Sequence, residues 1–341
     1  MKKPIVILIC TLCIGFSALV TAQNSASTYK VVNTFHVDGD NFWDYLTTDP
    51  ATGRLFISHG TMVQVLDINK GKVIGTIPNT NGVHGIALAP DLNEGFISDG
   101  RDTAITIFNL KTLEVIATVK VTGQNPDAIL YDPFTRRVFT FNGRSSNATA
   151  IDAYTHEVLA TIPLSGKPEA GVTDNNGKIF VNIEDKSEIT EINPVTLEVE
   201  HTWSIAPGEE PSGLAIDVKN NRLFSVCHNK LMVVFDTQNG KVVTTLPTGE
   251  HTDGAAFDPE LKRAYSSNGD GTLTVVQEED ANTFKVLENV KTQEGARTVA
   301  LDPANHHLYL STAERLPPQE GKRWPGVKPG TFTILDVSPG K

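Results

Sequence analysis

One mark recurs along this chain at nearly constant spacing, and it limits the possible folds more than any other feature. Aligned on "DP"-like turns, seven copies appear: Asp49-Pro50, Ala89-Pro90, Asp132-Pro133, Asp174-Asn175, Asp217-Val218, Asp258-Pro259 and Asp302-Pro303. Successive copies lie 40, 43, 42, 43, 41 and 44 residues apart. A second mark closes a strand-like run later in each unit, at Asp67, Asn109, Asp152, Asn193, Asp236, Gln277 and Asp336. Its spacings are 42, 43, 41, 43, 41 and then 59. Within a unit, four short runs rich in β-branched and aromatic residues are separated by Gly, Pro, Asn and Asp, as in "HGIALA", "EGFISD", "AITIFN" and "VIATVKV". Period-two strands with turn punctuation, four to a unit and seven units long, predict an all-β, seven-bladed β-propeller of four-stranded antiparallel blades.

An open linear array of the same units would leave a sheet edge exposed at each end. The chain ends argue for closure instead. The last unit stops after its third strand, "TFTILDV", and the segment "YKVVNTFHV" near the start matches the fourth-strand phrase "GKVIGTIP". The N-terminal strand is therefore expected to complete the last blade.

Lys2 and Lys3, the apolar run Ile5–Val20 and the small residues of "VTA" read as a signal peptide over residues 1–22, cleaved after Ala22. A retained membrane anchor is the alternative, since the run is close to a minimal span. Residues 23–341 are then a single propeller domain, and the expected location is periplasmic or secreted, with no membrane insertion after cleavage. Cys10 and Cys13 lie in the leader, so Cys227 alone remains and no internal disulfide is expected. Cys227 reads as a packed thiol near the mouth. With the leader removed, 27 basic residues face 40 acidic ones, a net charge of −13 that opposes binding to nucleic acid or anionic lipid. A monomer is expected.

In a propeller the innermost strands line a central channel, so equivalent positions can be read in register. Five residues before each first mark stand Asp44, His84, Asp127, Glu169, Ser212, Asp253 and Arg297, all polar and varied in type. Small residues follow most of them: Gly85, Ala128, Ala170, Gly213 and Gly254. A second ring is read from the loops after the second strands: His59, Asp99, Arg101, Asn142, Arg144, Glu184, Asp185, His228 and Asn268. Both rings are expected to surround one mouth that binds a small polar or anionic molecule, a peptide or a partner protein. Arg101, Arg144 and Arg297 would supply forked donors. No cofactor is predicted. A divalent metal on His59, His84 and His228 with nearby carboxylates is an open alternative, although no HxH or HxxxH spacing marks a site. The turn aspartates Asp67, Asp152 and Asp236 read as caps on backbone amides. No P-loop, dinucleotide fingerprint, HExxH or GxSxG occurs.

The stretches "VHGIALAP", "NPDAILYDP", "VNIEDKSEITEI", "EEPSGLAID", "RLFSVCHNK", "NGDGTLTVV" and "GARTVALDP" resemble the YncE-like, YVTN-repeat propeller proteins of bacteria, from about Tyr29 onward. The name-giving strand is degenerate here ("LFIS", "GFIS", "VFTF", "IFVN", "LFSV", "AYSS", "LYLS"). The resemblance implies a seven-bladed propeller outside the cytoplasm and a Pro-rich insertion in the last blade. It implies no agreed activity and no catalytic residue.

Three functions follow as expectations. A binding module is the first. The second, by fold analogy, is a lactonase- or lyase-type enzyme with His84 as acid/base, Glu169 beside it and Arg297 as oxyanion stabiliser. Single-stranded nucleic acid binding is the third, against which the acidic balance and the few mouth aromatics, Trp43 and Trp324, both count. The long final interval has its own reading. Residues 313–331, "AERLPPQEGKRWPGVKPGT", form an insertion between the second and third strands of the last blade. It is expected to fold over the mouth as a semi-rigid cap, bringing Lys322, Arg323, Lys328 and Trp324 with it.

Overall fold

The computed structural model describes residues 28–39, 42–317 and 326–340. It contains seven four-stranded antiparallel sheets, and in six of them the strands follow chain order from the axis outward. The innermost strands are Trp43–Asp49, Val83–Ala89, Pro126–Asp132, Pro168–Thr173, Pro211–Asp217, Thr252–Asp258 and Thr298–Asp302, which define blades 1 to 7. In blade 7 the outer position is filled by Tyr29–His36, which pairs antiparallel with Thr333–Pro339, Tyr29 opposite Pro339 and His36 opposite Thr333. The ring is closed as the sequence repeat predicts. Residues 1–22, read above as a signal peptide, lie outside the described residues, and among the described residues no helix is long and apolar enough to cross a membrane.

Burial explains the run-on hydrophobic strands. The second strands, such as Arg54–His59, Glu94–Asp99 and Arg137–Asn142, are buried along almost their whole length. Each is sandwiched between neighbouring blades, so both faces are apolar and the usual alternation is lost. Phe56, Val63 and Val65 of blade 1, for example, pack with Val83, Ile86, Ile97 and Phe108 of blade 2. The fourth strands alternate or lie exposed, as in Lys72–Pro78 and Val115–Lys120, because only one face meets a blade.

The turn aspartates behave as caps. Asp67 accepts from the Lys70 amide at 3.0 Å, Asp152 from the Thr155 amide at 2.8 Å, and Asp236 from the Gln238 amide at 2.8 Å. Cys227 is fully buried, and burial pushes its thiol up to about 12, so it is packing and not a nucleophile.

Candidate functional site at the channel mouth

In six blades the innermost strand is bulged at the same place. The register slips between Trp43 and Leu46, Val83 and Ile86, Pro126 and Ile129, Pro168 and Gly171, Pro211 and Leu214, and Thr252 and Gly254. Asp44, His84, Asp127, Glu169, Ser212 and Asp253 sit on these bulges. A bulge leaves backbone groups unpaired and re-aims a side chain, here toward the axis. The freed groups are satisfied by polar residues of the second strands. Ser58 Oγ accepts from the Asp44 amide at 2.8 Å, Ser98 Oγ accepts from the Gly85 amide at 2.8 Å and donates to the Asp127 carbonyl, and Asn182 donates to the Ser212 carbonyl at 2.9 Å. The small residue after each bulge lets adjacent strands converge. A Cβ on Gly213 would stand 2.6 Å from the Asp253 carbonyl oxygen, and one on Gly254 2.9 Å from the Val299 amide.

The first ring converges. His84 Nδ1 lies 2.7 Å from Asp44 Oδ2 and 3.5 Å from Asp127 Oδ1. Arg297 is ion-paired with Asp253 and lies 3.7 Å from Asp44 Oδ1. Ser212 Oγ donates to Asp253 Oδ1 at 2.6 Å. Lys167 Nζ is 2.5 Å from Glu169 Oε1 and also bridges to Glu184, which ties that member of the second ring to the mouth. Six blades thus contribute charged groups to one coupled chain, Glu169 reaching it through the field of Asp127, and blade 5 joins through the Ser212 hydroxyl.

The environment separates these groups. Burial pulls the His84 imidazolium down, but the charge of Asp127 and the hydrogen bond to Asp44 win and raise it to about 9. Burial raises the Asp127 carboxyl above the usual range, partly opposed by His84. Burial and the charge of Asp127 raise Glu169 further still. Tyr45, the only large residue among the small ones that follow the bulges, lines the channel and packs against the hydrophobic cluster shared by blades 3 and 4. Burial, then Asp127 and Glu169, push its phenol well above the ordinary value. Beneath the ring the channel encloses about 170 Å³, lined by Tyr45, Ile86, Ile129 and Leu214 among others.

Most of the second ring does not join. His59, Asp99, Asn142 and Asn268 are at most 1 % exposed. Each turns into its own blade: His59 Nδ1 to Gln64 Oε1 at 2.5 Å, Asp99 accepting from Thr106 at 2.6 Å, Asn142 donating to Thr149 at 3.0 Å and Asn268 to Thr274 at 3.1 Å. Burial raises the Asp99 carboxyl to about 7, with the Thr106 hydrogen bond opposing it. Arg101 and Arg144 are exposed on their loops and make no ion pair among the described residues. His228 sits at the rim with Glu210 at 3.4 Å. The expected metal set of His59, His84 and His228 is therefore not assembled. Among the described residues, the group that can hold a metal ion is Asp44, His84 and Asp127, whose ligand atoms all lie within 4.8 Å of one another.

Two aromatic expectations also change. Trp43 is only 3 % exposed, packed against Phe332 at 5.1 Å between ring centroids, so it offers no face to a nucleic acid base. Trp324 lies outside the described residues, as does the insertion from 318 to 325. The base of that insertion is an ordered clasp. Leu316 N donates to Gly326 O at 2.7 Å, Lys328 N to Glu314 O at 2.8 Å, and Arg315 pairs with Val327. Sequence reading missed Tyr45, Lys167 and Arg315. Tyr45 was legible as the one bulky residue in a column of small ones.

No family model matches the chain. Antigen Lp49 of Leptospira interrogans serogroup Icterohaemorrhagiae serovar copenhageni is 23 % identical over 291 residues, covering 81 % of this chain and 54 % of the antigen. The chain therefore spans about half the length of that curated relative. Among solved structures, a chain of the Kuenenia stuttgartiensis hydrazine synthase superposes with a TM-score of 0.72 at 16 % identity, covering 81 % of this chain and 94 % of that one. U3-55K gives 0.78 at 9 % identity, with coverages of 90 % and 99 %. The RRP9 WD40 repeats give 0.77 at 8 %, with 90 % and 98 %. Likeness at this level of identity, together with the strand order, establishes a seven-bladed β-propeller.

Proposed function

We propose that the protein is an exported, YncE-like propeller enzyme of the hydrolase or lyase class, acting at the channel mouth on a small polar carbonyl compound such as a lactone. The observation that carries the reading is the convergence of Asp44, His84 and Asp127 from three consecutive blades. Asp44 accepts the Nδ1 proton of His84, which fixes the ring and leaves Nε2, beside Gly100, as the nitrogen neither carboxylate engages. At neutral pH the imidazolium can donate from Nε2. Asp127 and Glu169 have carboxyls pushed up to different extents, the pattern expected of a base and a neutral donor working side by side. In lactone hydrolysis, water oxygen bonds to the carbonyl carbon as its proton passes to Asp127. The acyl–oxygen bond then breaks and Nε2 of His84 protonates the departing alkoxide, giving the hydroxy acid. Arg297, already paired with Asp253 and near Asp44, holds Asp44 in place and is not the oxyanion donor.

A panel of lactones and β-eliminating esters tests this. On any compound turned over, His84→Asn should lower kcat/KM by about 10²- to 10⁴-fold. Equal rates for variant and wild type, or no turnover across the panel, would return the protein to the class of binding modules. A second reading uses the same atoms. One nitrogen and two carboxylate oxygens suit a divalent cation, which would replace the Nδ1 proton and bind more tightly as pH rises. Running the panel with and without a chelator separates the two. The leader supports export, which N-terminal sequencing of the processed protein checks.

A further inference from the structure

We propose that Arg315 forms an anion subsite beside this centre, so that the substrate is a small molecule carrying a carboxylate or phosphate group. The inference rests on reading the mouth as the working face and names the chemistry of what enters it.

The argument begins with how Arg315 is held. The clasp at the base of the insertion fixes its backbone on both sides, and Lys328 pairs with Glu314 at 2.7 Å on the outer edge. Its guanidinium lies over the Trp43 ring, 5.3 Å from the centroid. Trp43 immediately precedes Asp44, so Arg315 packs against the chain neighbour of a residue of the acid–base unit. On another side the chain turns at Gly295 with φ +83°, and a Cβ there would stand 3.2 Å from Arg315 Nε. Packing over an aromatic ring and against a glycine turn thus orients the fork before any ligand arrives.

Its charge is not answered. Among the described residues Arg315 makes no ion pair and no side-chain hydrogen bond, and Glu294, exposed nearby, acts on it only at longer range. Its neighbour Arg297 has Asp253 and Asp44, so of two guanidiniums in each other's field one is compensated and one is not. Burial and the charge of Arg297 hold the Arg315 guanidinium below its ordinary value. A half-buried cation beside a like charge is unfavourable unless something pairs with it, and a planar oxyanion matches the fork with two parallel hydrogen bonds. Phe42, 57 % exposed and 5.9 Å from the Arg297 guanidinium carbon, adds an apolar wall at the same entrance.

Calorimetric titration of the whole protein with malonate and with inorganic phosphate, at fixed ionic strength, tests the subsite without requiring turnover. Wild type should bind at least one of the two saturably at one site, with a matching rise in Tm. Arg315→Ala should weaken that binding by about tenfold or more, and Arg315→Lys, which keeps the charge but loses the fork, by a smaller factor. A preference between the two anions identifies the group the substrate carries. If wild type binds neither saturably, or Arg315→Ala binds as wild type does, there is no such subsite, whatever the lactone panel returns. Should Arg315→Ala fail to fold, Arg315→Lys decides: undiminished affinity and undiminished anion-induced rise in Tm overturn the proposal.

Discussion

The two polar rings are a matched pair that ended in opposite roles. Both run from blade to blade around the mouth, both carry acids, histidines and arginines, and they are separated by only a residue or two across the sheet. Trp43 pairs with His59, Val83 with Asp99, and Pro126 with Asn142, so each of these three second-ring residues lies opposite the residue just before a first-ring one. The difference is where their partners come from. His59, Asp99, Asn142 and Asn268 each find a hydrogen-bond partner within one blade, on the third strand. Asp44, His84, Asp127, Asp253 and Arg297 are satisfied by one another across blade boundaries. A polar side chain answered by its own sheet holds that sheet together. One answered only by neighbours forms a site, because its partners can exchange protons or be displaced by a ligand.

The largest effect on stability should therefore come from the locally satisfied ring. Asn142 donates to Asn147 at 2.8 Å and to Thr149 at 3.0 Å, and accepts from Thr140 at 3.0 Å, with no exposure to solvent. Asn142→Ala leaves Thr140 and Thr149 buried with lost partners and opens a small void, at a cost of about 2–4 kcal/mol. Chemical denaturation should show that loss. Turnover by the folded fraction should stay within twofold of wild type. A variant that keeps its stability but loses turnover would mean the two rings are not distinct.

How much of this was legible follows from the same distinction. The repeat gave the blade count, the closure by Tyr29–His36 and the register of the first ring, because period and polarity are one-dimensional properties. The bulges that aim Asp44, His84 and Asp127 at the axis were not visible, and neither was the inward turn of His59 and Asn142. Both depend on which backbone groups are left over once the strands pair. Trp43 read as a mouth aromatic because nothing in the sequence announces Phe332 and Arg315 on either side of it. Arg315 itself was hidden in an insertion outside the repeat, where register reading has no frame.

A smaller effect concerns pH. A folded His84 raised to about 9, against an unfolded value near 6.5, contributes stability that is complete below about pH 6.5 and is lost as pH rises toward 9. The amount is on the order of 2 kcal/mol, which is a few degrees in Tm. Asp127 and Glu169, also raised, bind protons more tightly in the fold and slope the same way. Thermal melts of wild type should therefore decline between pH 6.5 and 9, and His84→Asn should decline less steeply. Parallel curves would show that the imidazolium is not held by its two carboxylates.

The smallest effect marks the outer boundary of the site. Arg144 shares its loop with Asn142 and has the residue type suited to an anionic ligand, yet it is exposed and has no ion pair among the described residues. A solvated side chain of that kind loses little when removed, so Arg144→Ala should change stability by less than about 0.5 kcal/mol and turnover by less than twofold. Arg315, three blade interfaces away in ring order, is half-buried on Trp43 and lies in the field of Arg297. If Arg144→Ala weakens malonate or phosphate binding as much as Arg315→Ala does, the anion is attracted by the general field of the rim. If only Arg315→Ala does so, recognition belongs to a guanidinium that the fold orients and leaves without an ion pair among the described residues.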